Sequence, residues 1–142
     1  MPRCRVLLVD DSPLIHEAVG TLLSVAPGVE VVGHGFSGED GLRLSAELRP
    51  DVVVMDLAMP GMNGLEAARR LTARQGGPAV VIISVHDDLG YRDAAVDAGA
   101  RAFLAKSDLA VELPSLLGRL TRPDRGAGPF GARAPSGGPP QP

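Results

Sequence analysis

The chain has one cysteine, no tryptophan, one tyrosine and three phenylalanines in 142 residues. A lone Cys4 cannot close an internal disulfide and lacks the spacing of a metal site, which excludes a disulfide scaffold and a zinc module. It falls in the first apolar run, where a buried, inert thiol is expected. With so few rings, the core must be aliphatic. Long hydrophobic runs are missing too: nothing approaches the roughly 18 residues of a membrane span. The start, MPRCRVLLVDD, has too short an apolar stretch before its acids for a signal peptide. No membrane role and a reducing, cytoplasmic setting are therefore expected. Charge of one sign is scarce as well, and a net −3 gives no general pull toward nucleic acid.

What remains is enough for one domain with a sizeable core. Short apolar runs alternate with helix-like segments. The strand candidates are CRVLLVD (4–10), VEVVGHG (29–35), DVVVMD (51–56), AVVIIS (79–84) and RAFLAK (101–106). Most lack strict alternation, as expected of strands covered on both faces. Between them Ser12-Pro13 is an N-cap and first-turn pair, opening a stripe of Ile15, Val19, Leu22, Leu23 and Ala26. Ser37 with Asp40, and Asn63 with Glu66, have capping-box spacing. Asp88 can cap a fourth helix that ends at Gly99 and buries only Ala94, Ala95 and Ala98. Leu109, Leu113, Leu116, Leu117 and Leu120 suggest a fifth, which Pro114 should force to begin late, near Val111. Serial β–α units imply a parallel sheet, right-handed crossovers and helices on both sides, an α/β doubly wound fold. From Arg122 onward, 11 of 21 residues are Gly or Pro, so the expected division is a domain over 1–121 and a disordered tail over 122–142.

In an open parallel sheet the loops at the carboxyl ends of the strands share one edge and form the ligand crevice. Asp10 and Asp11 end the first strand, Asp56 the third, Ser84 the fourth and Lys106 the fifth. One acid at a strand end is an ordinary cap or solvated turn; five polar groups on one edge are a site. Two carboxylates about 4 Å apart repel by roughly 4 kcal/mol at an effective dielectric of 20. One lysine cannot offset three acids, so a divalent cation is required, and oxygen-only ligands favour Mg²⁺. A metal, an ammonium and a hydroxyl facing one carboxylate are equipment for phosphoryl transfer.

VLLVDDSP, PDVVVMDLAMPGMNGLEA, VVIISVHDD and AGARAFLAK resemble the receiver domain of two-component response regulators, in order and spacing over residues 4–121. The likeness extends to the branch whose members often add a helix-turn-helix DNA-binding domain. It implies a flavodoxin-like sheet of five strands, order 2-1-3-4-5, with five helices. It implies that Asp56 accepts phosphate from a histidine kinase or phosphotransfer protein, making the chain a switch that catalyses only its own phosphorylation and dephosphorylation. Asp11 and Asp56 would ligate Mg²⁺ with the Ala58 carbonyl, Asp10 acting partly through water. Lys106 and Ser84 would contact the phosphoryl oxygens, and Phe103 would turn inward when Ser84 moves. The face made by the fourth helix, fifth strand and fifth helix would then change its affinity for a protein effector, and phosphorylation-linked dimerisation is open. Two departures stand out: Ser107 follows Lys106 where many relatives have proline, so a trans bond is expected, and Pro114 shortens the last helix. A tail of 21 residues is too short for a helix-turn-helix module, so a single-domain regulator that does not bind DNA is expected.

Three rivals are weaker. GHGFSG (33–38) fits a dinucleotide fingerprint, with Asp56 downstream, but it follows the second strand and leaves Asp10, Asp11 and Lys106 without a role. A haloacid-dehalogenase-like phosphatase needs a second acid two residues past its nucleophile, where Asp56 has Ala58 and Asp10 has Ser12. A receiver fold serving only as a scaffold would not need the five site residues intact. Among the histidines, His16-Glu17 reads as a surface pair, and His34 sits at a strand end with no partner in view. His86, two past Ser84, and Ala58 occupy positions that tune hydrolysis in relatives.

Overall fold

A computed structural model describes residues 3–86 and 89–120. The expected Asp88 cap and the tail over 122–142 lie outside the described residues.

Five parallel strands form one sheet in the order β2-β1-β3-β4-β5. They are β1 (Cys4–Val9), β2 (Val29–Gly35), β3 (Val52–Asp56), β4 (Ala79–Ser84) and β5 (Ala102–Ala105). Each falls inside its expected run; β3 and β5 are buried throughout and β4 nearly so, whereas the edge strand β2 exposes Glu30 and His34. Five helices connect and follow them: α1 (Pro13–Ser24), α2 (Gly38–Leu48), α3 (Gly64–Thr72), α4 (Leu89–Asp97) and α5 (Leu109–Leu120). On one face, Val6, Leu8, Val54 and Ile83 pack with Val19 and Leu23 of α1 and Leu113 and Leu117 of α5. On the other, Leu7, Val53, Met55 and Ile82 meet Ala67, Ala68 and Leu71 of α3 and Ala95 of α4, with Leu44 and Leu48 of α2 partly buried there. Alternate residues of each central strand therefore feed two separate aliphatic layers.

The caps act as their chemistry dictates. Ser12 Oγ accepts from the Ile15 N–H, Ser37 Oγ from Asp40 at 3.0 Å, and Asn63 Oδ1 from Glu66 at 3.0 Å. Neither capping box closes reciprocally: Asp40 takes the Phe36 N–H at 2.9 Å, and Glu66 turns to Arg69 and Arg70. Cys4 is buried as expected, and burial, reinforced by Asp51, pushes its thiol up to about 11. No cis peptide occurs among the described residues, so the Lys106–Ser107 bond is trans.

The late start expected for the last helix is wrong. A 3₁₀ turn over Lys106–Asp108 runs straight into α5 at Leu109, and Pro114 lies inside the helix. The proline denies a hydrogen bond to the carbonyl of exposed Ala110, which water can satisfy. Burial of Leu109 and Leu113 along the same stripe outweighs that loss.

Candidate phosphoryl and metal site

The sheet's carboxyl edge collects the groups its strand ends carry. Asp10 follows β1 and is fully buried, Asp56 closes β3 at 4% exposure and Ser84 closes β4 at 1%. Lys106 follows β5 and lays its stem into the crevice. Its Nζ lies 2.8 Å from Asp10 Oδ2 and 3.4 Å from Asp56 Oδ1, joining the ends of three strands. Asp11 is exposed at the mouth, and one carboxylate oxygen from each of Asp10, Asp11 and Asp56 lies within 4.8 Å of the others. Ser84 Oγ accepts the His86 N–H at 2.9 Å, which leaves its own hydroxyl proton free to donate.

Asp10 is held by its backbone neighbours: the Ser12 N–H donates to Oδ1 at 2.8 Å, and its own N–H donates to the Gly35 carbonyl at 3.1 Å. Asp10 Oδ2 is buried and accepts no well-aligned hydrogen bond; its partner is the Lys106 ammonium. Burial, then the charge of Asp10, push the Asp56 carboxyl up to about 6 against the opposing pull of Lys106 and the Ala58 N–H. Burial alone would lower the Lys106 ammonium, but contact with Asp10 and the charges of Asp56 and Asp10 hold it above its ordinary value. Both shifts carry a contribution from negative charge in excess of what one lysine neutralises, added to burial at Asp56 and set against burial at Lys106. Two oxygens on one Mg²⁺ stand about 3 to 4 Å apart at 2.0–2.1 Å bonds. From within 4.8 Å of one another the three carboxylates need to close by about 2 Å at most to share one ion, and an under-bonded oxygen is already among them. A hard divalent cation fits this donor set.

The loop after β3 is shaped for the site. Gly61 has φ +78°, and a methyl group at Gly64 would overlap the Asp56 carbonyl oxygen. The capping pattern around Asn63 placed this turn; the close approach at Gly64 left no separate mark in the sequence. Phe103 is already buried at 3% exposure, with the Arg92 guanidinium of α4 5.0 Å from its ring centre. The ring packs in the apolar layer shared with Ala95 of α4. The glycines of GHGFSG lie elsewhere than a phosphate loop: Gly33 and Gly35 are inside β2, and a methyl at Gly38 would stand 2.7 Å from the Met62 carbonyl. They serve close packing.

Both readings of His16 and His34 need correction. His16 is buried at 7% exposure, not a surface residue, and its Nδ1 lies 2.7 Å from Nδ1 of His34, which therefore has a partner. The spacing 16-19-23 puts His16 on the buried stripe with Val19 and Leu23, a signal that was present.

Comparison with known proteins agrees with this geometry. The family described as "Response regulator receiver domain" matches residues 6–117. The transcriptional regulatory protein LiaR of Bacillus subtilis is 36% identical over 111 residues, which are 77% of this chain and 52% of LiaR. A protein-glutamate methylesterase/protein-glutamine glutaminase of Koribacter versatilis is 43% identical over 104 residues, 72% of this chain and 28% of that protein. The chain thus spans about half the length, or less, of these curated relatives. Among solved structures, the signal receiver domain of the response regulator NarL from Mycobacterium tuberculosis superposes with a TM-score of 0.75 at 31% identity, covering 83% of this chain and 98% of that one. Sheet order, the acidic crevice and these likenesses agree, and the chain belongs to the response regulator receiver family.

Proposed function

We propose that this domain is a phosphorylation-dependent switch that takes a phosphoryl group on Asp56 from a histidine kinase or phosphotransfer protein. The observation that carries this reading is the Lys106 ammonium set between Asp10 and Asp56, at 2.8 and 3.4 Å, beside a third carboxylate. Asp10, Asp11 and Asp56 would hold Mg²⁺, with the Ala58 carbonyl available beside them. When bound, the ion supplies charge neutralisation for the crowded acids and the incoming phosphate. An Asp56 oxygen attacks phosphorus in line, the bond from phosphorus to the donor imidazole nitrogen breaks, and the freed imidazole takes up a proton. Lys106 pairs with a phosphoryl oxygen, and the Ser84 hydroxyl donates to another. The sheet edge contributes rigidity, because strand ends fix the nucleophile better than a loop would. Relatives that join the same domain to a transcriptional regulator or a methylesterase support a role as an input module, with activity beyond its own phosphorylation and dephosphorylation belonging to partners.

Phosphate adds about −1.5 to −2 charge beside Lys106 and Ser84. Drawing Ser84 toward it strains the bond from the His86 N–H and so the loop into α4. The readout surface is the face of α4, β5 and α5, where a protein effector would bind with altered affinity and a second copy could pair. The functional domain is read as residues 1–121, acting in the cytoplasm; among the described residues no helix is long and apolar enough to cross a membrane.

Exposure to acetyl phosphate followed by a phosphate-affinity gel tests the assignment. A retarded band that needs Mg²⁺ and disappears in Asp56→Asn is expected. Retardation that persists in Asp56→Asn would place the group elsewhere and end this reading.

A further inference from the structure

Asp10 is held from an unexpected direction. Its carbonyl lies past the end of the pairing with β2, whose final residue, Gly35, takes the Asp10 N–H. Nε2 of His16, from the first turns of α1, meets that carbonyl at 2.8 Å in a buried contact. A carbonyl only accepts, so Nε2 carries a proton. A neutral His16 then presents a lone pair at Nδ1, and the proton on the 2.7 Å axis to His34 must sit on His34 Nδ1. The Phe36 ring, 4.2 Å from the His16 ring centre, closes the other side of the imidazole.

The backbone is arranged to bring this pair together. The pairing of β1 with β2 shifts by one residue between Val6 and Leu7, so that Val6 faces Val31 but Leu8 faces His34. Without the extra residue Gly33 would stand opposite Leu8, and His34 would point to the layer under α2. The bulge turns it to the α1 layer, where His16 is. Bulges beside functional sites commonly re-aim one side chain in this way.

We propose that His34 is a positioning residue for the acidic site: by donating Nδ1–H to His16 it fixes the His16 tautomer whose Nε2–H anchors the Asp10 carbonyl, and with it the two carboxylates of the Asp10-Asp11 turn. The contact runs from the edge strand through α1 to the cation site. Partners that orient a ligating group from behind commonly change metal affinity 10- to 100-fold when removed. This inference rests on the Mg²⁺ reading above, but the proton positions do not, and that separates the two in the test.

Long-range ¹H–¹⁵N spectra of the histidine rings at pH 7.5 should show His16 protonated on Nε2 and His34 on Nδ1. Titration with MgCl₂, followed by amide shifts at Asp10 and Asp11, should give about tenfold weaker binding in His34→Leu. His34 is exposed on the edge strand, so this variant should keep its fold, checked by amide dispersion. His34→Asn, whose amide N–H can occupy the place of Nδ1–H, should recover most of the affinity. Finding His34 protonated on Nε2 alone overturns the inference, as does wild-type Mg²⁺ affinity in the leucine variant. Should wild type itself fail to bind Mg²⁺ while the tautomers are as stated, the cation assignment fails and the inference that His34 serves it falls with it.

Discussion

At the scale of single residues, the consequence of crowding falls on Asp56. Its carboxyl ionises near 6 in the folded protein against 3.8 ordinarily, because burial and Asp10 oppose the charged form. Between those values the native state keeps a proton that the unfolded chain has released. Stability in the metal-free protein should therefore fall as pH rises from about 4 through about 6. Asp56→Asn removes the charge at nearly constant shape. Urea unfolding in EDTA should find it more stable than wild type at pH 7.5, by up to about 3 kcal/mol, with the difference shrinking toward pH 4. Equal stabilities at pH 7.5 would show that burial and Asp10 together do not oppose the charged form of Asp56.

At the scale of elements, α4 and α5 make a contrast. The helix α5 buries four leucines, Leu109, Leu113, Leu116 and Leu117, whereas α4 fully buries only Ala95 and leaves Leu89 76% exposed. A methyl group buries a small fraction of what a leucine does, so α4 should open far more readily. Hydrogen exchange followed by mass spectrometry should show peptides from 89–97 losing protection well before those from 109–120; equal protection would remove α4 as the mobile reporter. The alanine-only face of α4 was legible in the sequence, as were Ser12, Ser37 and Asn63 as caps, because caps and apolar stripes are local rules. Pro114 misled for the same reason. The local rule against proline inside a helix was outweighed by packing between α5 and the sheet. The burial of His16 was legible in its helical spacing, but its pairing with His34 depends on a strand register that no local pattern records. The strand-end acids and Lys106 could be brought together on paper because parallel topology sends every strand end to one edge. Their separations, and the burial that raises Asp56, needed the fold.

For the whole molecule, the sheet divides the interior into two layers with little shared contact. Leu71 lies in one and Leu117 in the other, both fully buried. Leu71→Ala and Leu117→Ala should each cost about 2–5 kcal/mol, and their losses should add within about 0.5 kcal/mol in a double mutant, since they lie across the sheet. Denaturant titrations of the three variants measure this, and strong non-additivity would mean that the layers yield together. The far edge of the sheet is fastened differently from the acidic one. Arg5 Nη1 donates to the carbonyls of Leu48 and Arg49, each at 2.8 Å, and the Arg5 N–H donates to Asp51 at 2.9 Å. The strand β1 begins at that edge, and α5, returning antiparallel to β5, finishes there. Arg3 and Leu120 thus emerge on the side remote from Asp56. A dye, a bead or a sensor surface coupled at position 3 or 120 would leave the acidic mouth facing open solution, so the domain can be immobilised there without masking its chemistry.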